Sequence, residues 1–342
     1  MAAPIRTGLV GFGLAGQVFH GPLISANSRY SLDYVVTSDP TRAAAAARVS
    51  RHVVPSFGEL LAHSGQLDLV VVITPPQFHV AQARAALLAG LAVVVDKPFA
   101  PTVAEGQELI ALAGERGLPL TVFQSRRWDG DFLTVHDLVQ SGELGHVHRF
   151  ESSFERWQPT LRVQWHGDVP PEQGGGTLYD TGSHVIDQAL HLFGPAKLEH
   201  GHTAYLSGDQ RSDDEAVVLL RHESGTLSHL TVSRMAGQVG PRFRLLGSRG
   251  GFVCHGVDGQ EAALKAGLSP TDPAYGLTAE ADWGMAGVPG RQRTVPMHRG
   301  SYPEFYSLLA SALSDGGKVP VDPASSVEVI RIIQEVHALS RP

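Results

Sequence analysis

The run Gly11-Phe12-Gly13-Leu14-Ala15-Gly16 constrains this chain more than any other stretch. It follows an apolar segment, Ile5–Val10, that reads as a strand, and it opens a segment of helical character. Glycine at the first position allows a tight turn, glycine at the second lets a phosphate approach bare backbone, and glycine at the third lets helix and strand pack closely. The start of the helix then offers N–H groups and a positive dipole end to an anion. The pattern predicts a dinucleotide-binding turn, with Phe12, Leu14 and Ala15 contributing backbone between the glycines.

The next hundred residues alternate in texture. Ile5–Val10, Leu32–Thr37, Leu67–Thr74, Ala92–Val95 and Leu118–Phe123 are short, rich in Val, Ile and Leu, and bounded by turn residues. Such runs read as strands buried on both faces. Between them, Arg42–Ser50, Phe57–Ser64, Phe78–Ala89 and Val103–Arg116 carry helical spacing. Alternating strand and helix predicts an α/β Rossmann domain with a doubly wound parallel sheet over residues 1–123. Residues 124–342 form the second predicted domain. There a helix over Leu178–Leu192 precedes five strands without intervening helices, from Glu199–Leu206 to Gly251–Cys254. That order predicts an α+β domain with an antiparallel sheet. Leu268–Arg299, rich in Gly, Pro, Asp and Ala, reads as a long loop, and helices at Tyr302–Ser314 and Ser325–Leu339 close the chain.

The end of the second strand should meet the adenosine ribose. An NAD enzyme usually carries an acidic residue about 20 positions after the glycines. Here Thr37 and Ser38 stand there, with Arg42 close by, a set able to receive a 2′-phosphate and favouring NADP. Asp39 could instead bond the ribose of NAD, or simply cap the following helix. Thr74-Pro75 ends the third predicted strand, where a cofactor would cross the carboxyl edge of the sheet, and His79 follows at a helix start. Asp96-Lys97-Pro98 ends the fourth. A lysine beside a nicotinamide can give or take a proton while hydride moves.

Composition narrows the alternatives. Twenty-seven basic against 34 acidic side chains leave a net charge of −7, without the basic face of a nucleic-acid binder. No apolar stretch suits a bilayer, and the N-terminus lacks the separate apolar region of a signal peptide. With one cysteine, Cys254, no internal disulfide is available. A cytoplasmic location is the expectation. Seventeen histidines are scattered without carboxylate or thiol partners at ligand spacing, so no metal is expected.

Taken together, these motifs resemble the Gfo/Idh/MocA oxidoreductases. The resemblance covers essentially the whole chain and rests on GFGLAG, on TPPQFHVAQARAALLAGLAVVVDKP and on GGGTLYDTGSHVIDQALHLFG. Within the family the chain looks most like the subgroup that includes bacterial scyllo-inositol dehydrogenases. It shares Asp-Lys-Pro, the QSRRWDGDF segment at Gln124–Phe132, FERWQP at Phe154–Pro159 and Asp-Trp-Gly at Asp282–Gly284. The resemblance implies a large open antiparallel sheet in the second domain. It also implies that Lys97, Asp180 and His184 occupy the family's catalytic positions. The family's usual Glu before the lysine is Asp96 here, and the Asn of its Thr-Pro-Asn turn is Pro76.

Those three residues make chemical sense. Asp180, His184 and Asp187 share one helical face. Histidine titrates near neutrality and suits proton transfer, while a carboxylate can orient substrate hydroxyls. Which of Lys97 and His184 is the main acid/base stays open at this point. Asp187 reads as a supporting residue. Arg127, Trp128, Trp157 and Trp165 could wall a sugar-like pocket. The expected activity is hydride transfer between NAD(P) and a polyol, cyclitol or sugar-like alcohol. The competing readings are a redox-neutral NAD-dependent glycosidase and a non-catalytic dinucleotide sensor. The expected partners are a small-molecule substrate and a second copy of the chain, in a homodimer or homotetramer joined through the C-terminal sheet.

Overall fold

Runs of branched aliphatic residues form the centre of the first sheet. β4 (Leu69–Val72) and all of β5 (Ala92–Asp96) except its last residue are buried, as expected of strands covered on both faces. The computed structural model describes residues 3–160, 169–207 and 211–340. The chain forms two compact units, the first from 1–125, 260–275 and 301–327, the second from 126–259, 276–300 and 328–342.

In the first unit, β1 (Ile5–Val10), β2 (Tyr30–Val36), β3 (His52–Val54), β4, β5 and β6 (Leu120–Phe123) form a sheet of order 3-2-1-4-5-6. Its described pairings are all parallel. The order reverses between β1 and β4, where open sheets of this type bind ligands beyond the strands' carboxyl ends. A π turn over Gly16–His20 leads into α1 (Gly21–Ser25), followed by α2 (Pro40–Ala46), α3 (Phe57–Ala62) and α4 (His79–Leu88). α5 (Val103–Arg116) matches its predicted bounds because both ends are written locally. The Thr102 hydroxyl accepts the Glu105 N–H at 3.3 Å and donates to the Glu105 carboxylate at 2.7 Å, which caps the helix start. Gly117 ends the helix at φ +61°.

In the second unit, α6 (Gly130–Gln140) precedes β7 (Val147–Glu155), and α7 (Ser183–Phe193) follows a π turn over Leu178–Gly182. β8 (Ala196–Ala204), β9 (Glu215–His222), β10 (Leu227–Ser233), β11 (Phe243–Gly247) and β12 (Gly251–Cys254) come next. With β13 (Gly284–Val288) and β14 (Arg291–Val295) they form an eight-stranded sheet of order 14-13-12-11-7-10-9-8. The core packs on one face, around Phe150, Leu178, Ile186, Phe243 and Ile333. Short α8 (Gln260–Lys265) and α9 (Pro303–Asp315) belong to the first unit, and α10 (Pro323–Ser340) closes the chain.

The sheet is mostly antiparallel, as expected, with one parallel pairing, β7 with β10. One expectation needs correction. The predicted loop over Leu268–Arg299 contains the β13–β14 hairpin. β13 turns only Gly284 and Ala286 fully inward, and β14 only Val295. An arginine-rich edge strand has no need of apolar alternation, so the pair lacks the usual strand signal.

Candidate active site

Each glycine of the first turn has its own local reason. Gly11 sits at φ +106°, a conformation that disfavours a side chain. A Cβ on Gly16 would lie 2.9 Å from the Gly11 carbonyl oxygen and from the Ile73 side chain, so this glycine serves close packing. A Cβ on Gly13 would meet nothing within 4 Å. Among the described residues that glycine answers to no packing need, and its open face is a cradle that a side chain would fill. Leu14 beside it is exposed, and Ala15 offers no side chain to cap the helix start. The segment fits a pyrophosphate: the backbone between Gly11 and Gly16, ahead of a helix start, would hold it.

At the end of β2, Asp39 takes the cap of α2, its carboxylate accepting the Arg42 N–H at 2.9 Å. Thr37 is half-buried, while Ser38 and Arg42 are exposed. At the end of β4, the Thr74 hydroxyl bonds Gln82 at 2.6 Å, and Pro75 leads into a short 3₁₀ turn. His79 ties two strand ends together. One ring nitrogen lies 2.6 Å from the Thr74 carbonyl oxygen, the other 2.9 Å from that of Pro98. Burial pushes this imidazole below its usual range, and its two carbonyl contacts give the ring a structural role.

Lys97 leaves the end of β5, and the peptide to Pro98 is cis. Its backbone N–H donates to Asp96 Oδ1 at 2.8 Å. Burial would raise the Asp96 carboxyl, but His20, Lys97 and His79 outweigh that and hold it below the ordinary carboxylate range. Asp96 is therefore a fixed negative charge beside the lysine. His20, absent from the sequence-based site, was legible only as part of an apolar-looking VFHGP segment.

In the second unit, Asp180 lies on the π turn and His184 one turn on, at the start of α7. His184 is buried, and Asp180 is partly exposed, its Oδ2 3.5 Å from the Arg156 guanidinium. Asp187, in the next turn, holds Arg127 through two hydrogen bonds. Gln188 donates to the Arg126 carbonyl oxygen at 2.9 Å and accepts from buried Arg242 at the same distance. The Asp213 carboxylate accepts the Leu178 N–H at 2.7 Å and so caps the turn that carries Asp180. Sequence reasoning gave no role to Arg156, just past β7 within FERWQP, or to Asp213, in the loop before β9.

Trp128 is half-buried after β6, and Trp157 is exposed, its backbone bridged to Met235. Trp165 lies outside the described residues. Cys254 is buried, its thiol pushed up to about 12 by burial, so it is inert at neutral pH. Among the described residues no helix is long and apolar enough to cross a membrane.

Comparison with known proteins agrees with this geometry. Residues 5–124 match the model of an oxidoreductase family with an NAD-binding Rossmann fold, and residues 132–253 match the GFO/IDH/MocA C-terminal domain. The chain is 35% identical to the scyllo-inositol 2-dehydrogenase (NADP(+)) IolW of Bacillus subtilis, across 98% of this chain and 94% of that protein. It is 36% identical to the uncharacterized oxidoreductase YdgJ of Escherichia coli, across 98% and 96%. The solved structure of the oxidoreductase YvaA from Bacillus subtilis superposes with a TM-score of 0.92 at 32% identity, covering 99% of this chain and 96% of that one.

Proposed function

The chain belongs to the Gfo/Idh/MocA oxidoreductases, and from that premise we propose that it is an NADP-dependent dehydrogenase or reductase of polyols, cyclitols or sugar-like alcohols. The observation that carries this reading is Lys97, at the carboxyl end of β5, an inner Rossmann strand, with its backbone fixed on the Asp96 carboxylate. A dinucleotide sensor needs the glycines but has no use for a lysine held in this way.

The bound nicotinamide supplies the hydride acceptor or donor. The chain's residues handle the proton and the orientation. As the alcohol is oxidised, its carbinol carbon loses hydride and its hydroxyl loses a proton, leaving a carbonyl. Lys97 hydrogen-bonds the reacting oxygen and His184 takes the proton, or the two exchange these tasks. Asp180 orients a substrate hydroxyl, with its own charge moderated by Arg156. Turnover on this reading requires Lys97, Asp180 and His184.

NADP is favoured over NAD because Asp39 is engaged in capping α2, while Ser38 and Arg42 are exposed at the end of β2. The scyllo-inositol specificity in the name of one relative supports the cyclitol class. A panel of cyclitols, polyols and sugars, assayed with NADP and NAD through the absorbance of the reduced nicotinamide, tests the proposal. Turnover of a cyclitol or polyol, faster with NADP, is expected. No turnover across the panel overturns the substrate class, and a preference for NAD overturns the cofactor assignment.

A further inference from the structure

Behind Lys97 lies a group that the proposed reaction does not use. His20, on the π turn after the glycine motif, is fully buried. Its ring packs on Phe123 with centroids 4.2 Å apart, and its Nδ1 lies 2.6 Å from the Tyr306 hydroxyl. Among the described residues its Nε2 is buried without a hydrogen-bond partner, and the charge it faces is Asp96 Oδ1 at 3.9 Å. That same oxygen accepts the Lys97 N–H.

The tautomer follows from the neighbours. Burial, with Tyr30 and Asp96 nearby, pushes the Tyr306 phenol well above its usual range, so it keeps its proton. If Nδ1 held the ring proton, the Nε2 lone pair would face a carboxylate. With the proton on Nε2, an N–H faces Asp96 and the Tyr306 O–H donates to Nδ1. The second arrangement satisfies both contacts. The titratable groups facing Asp96 are His20, Lys97 and His79, and those facing Tyr306 are His20, Tyr30 and Asp96.

We infer that His20 is a positioning residue for the Asp96–Lys97 pair, its Nε2–H turned toward the carboxylate by Tyr306. The inference rests on the proposed proton-transfer role of Lys97. A donor behind Asp96 shares the carboxylate's charge. Without it, more of that charge falls on the Lys97 ammonium, which then holds its proton more tightly.

The test compares pH profiles of kcat for the full chain and for His20→Leu, His20→Gln, Tyr306→Phe and Lys97→Ala, on the best substrate of the panel. NADPH affinity, read by fluorescence, reports that each variant is folded. Lys97→Ala identifies the limb of the profile that depends on the lysine. In His20→Leu that limb should move to higher pH, with kcat about tenfold lower and NADPH affinity unchanged. His20→Gln, which can accept from Tyr306 and donate to Asp96, should move most of the way back. Tyr306→Phe should shift the limb in the same direction by less, which covers a His20→Leu that does not fold. A limb that stays in place in both His20→Leu and Tyr306→Phe overturns the inference, as does a shift that glutamine does not reduce. A limb that persists in Lys97→Ala instead defeats the underlying role of the lysine.

Discussion

Arg127 and Asp187 form a forked ion pair, with Nε 2.8 Å from one carboxylate oxygen and Nη2 2.6 Å from the other. Asp187 stands one turn beyond His184 on α7, so the pair pins the turn that carries the proposed acid/base. The two side chains are 11% and 3% exposed. Breaking such a pair leaves a buried charge without its partner and costs about 3–5 kcal/mol. Asp187→Ala should therefore lower the stability of the chain by about that amount in denaturant unfolding. NADPH affinity should stay unchanged. A loss below about 1 kcal/mol would mean that water reaches Arg127 and that the pair is peripheral.

Asp213 gives the chain a pH-dependent stability term. Burial pushes its carboxyl up to about 7, and Asp214 adds to that, although the Leu178 N–H pulls the other way. Its folded value thus lies above the unfolded value of 3.8. The protonated form favours the folded state, so its contribution is complete below about pH 4 and is lost as pH rises toward 7. Asp213→Asn cannot ionise. Its stability relative to the parent chain should rise between pH 4 and 7, by a few kcal/mol in total, and then level off. Parallel stability curves for the two proteins over that range would contradict the assignment.

The glycine turn allows binding and packing to be separated. Gly13→Val adds atoms to open space, so the melting temperature should hold while NADPH binding is abolished. Gly16→Val drives a side chain into the Gly11 carbonyl and Ile73, and the melting temperature should fall by several degrees. If Gly13→Val still binds NADPH with parental affinity, the turn is not the pyrophosphate site.

The face of the eight-stranded sheet opposite the core carries a row in register across it: Leu219, His229, Glu151, Arg244, Val253 and Met285. Apolar side chains at both ends of the row, with charges at its centre, suit contact with a second copy more than solvent alone. A homodimer or homotetramer is expected by light scattering at micromolar concentration. Val253→Glu with Met285→Lys should dissociate it. A monomeric parent chain would contradict the prediction.

The legible parts of this protein are those written in local sequence. Val103–Arg116 was readable to its ends because Thr102, Glu105 and Gly117 mark them. The parallel sheet around Gly11–Gly16 followed from alternation of strand and helix. The β13–β14 hairpin was not readable, since its inward residues are mostly glycine and alanine and its outer strand is arginine-rich. Lys97, Asp180 and His184 stood out through motifs. His20 and Asp213 did not, because each acts through a neighbour distant in sequence, Tyr306 and Leu178, and Arg156, though inside FERWQP, met its partner Asp180 only in the folded chain. Asp187 reads as a supporting residue from spacing alone, but its partner Arg127 became apparent only once the chain was folded.

The central claim is that Lys97 and His184 move the proton of the reacting hydroxyl. Steady-state turnover of Lys97→Ala and His184→Ala on the best cyclitol or polyol, set beside NADPH titrations of the same proteins, tests it most directly. Each variant should lose about 10²–10⁴ in kcat while binding NADPH as the parent does, since neither residue belongs to the Gly11–Gly16 cradle. Near-parental turnover in Lys97→Ala, with the cofactor bound normally, would contradict the account.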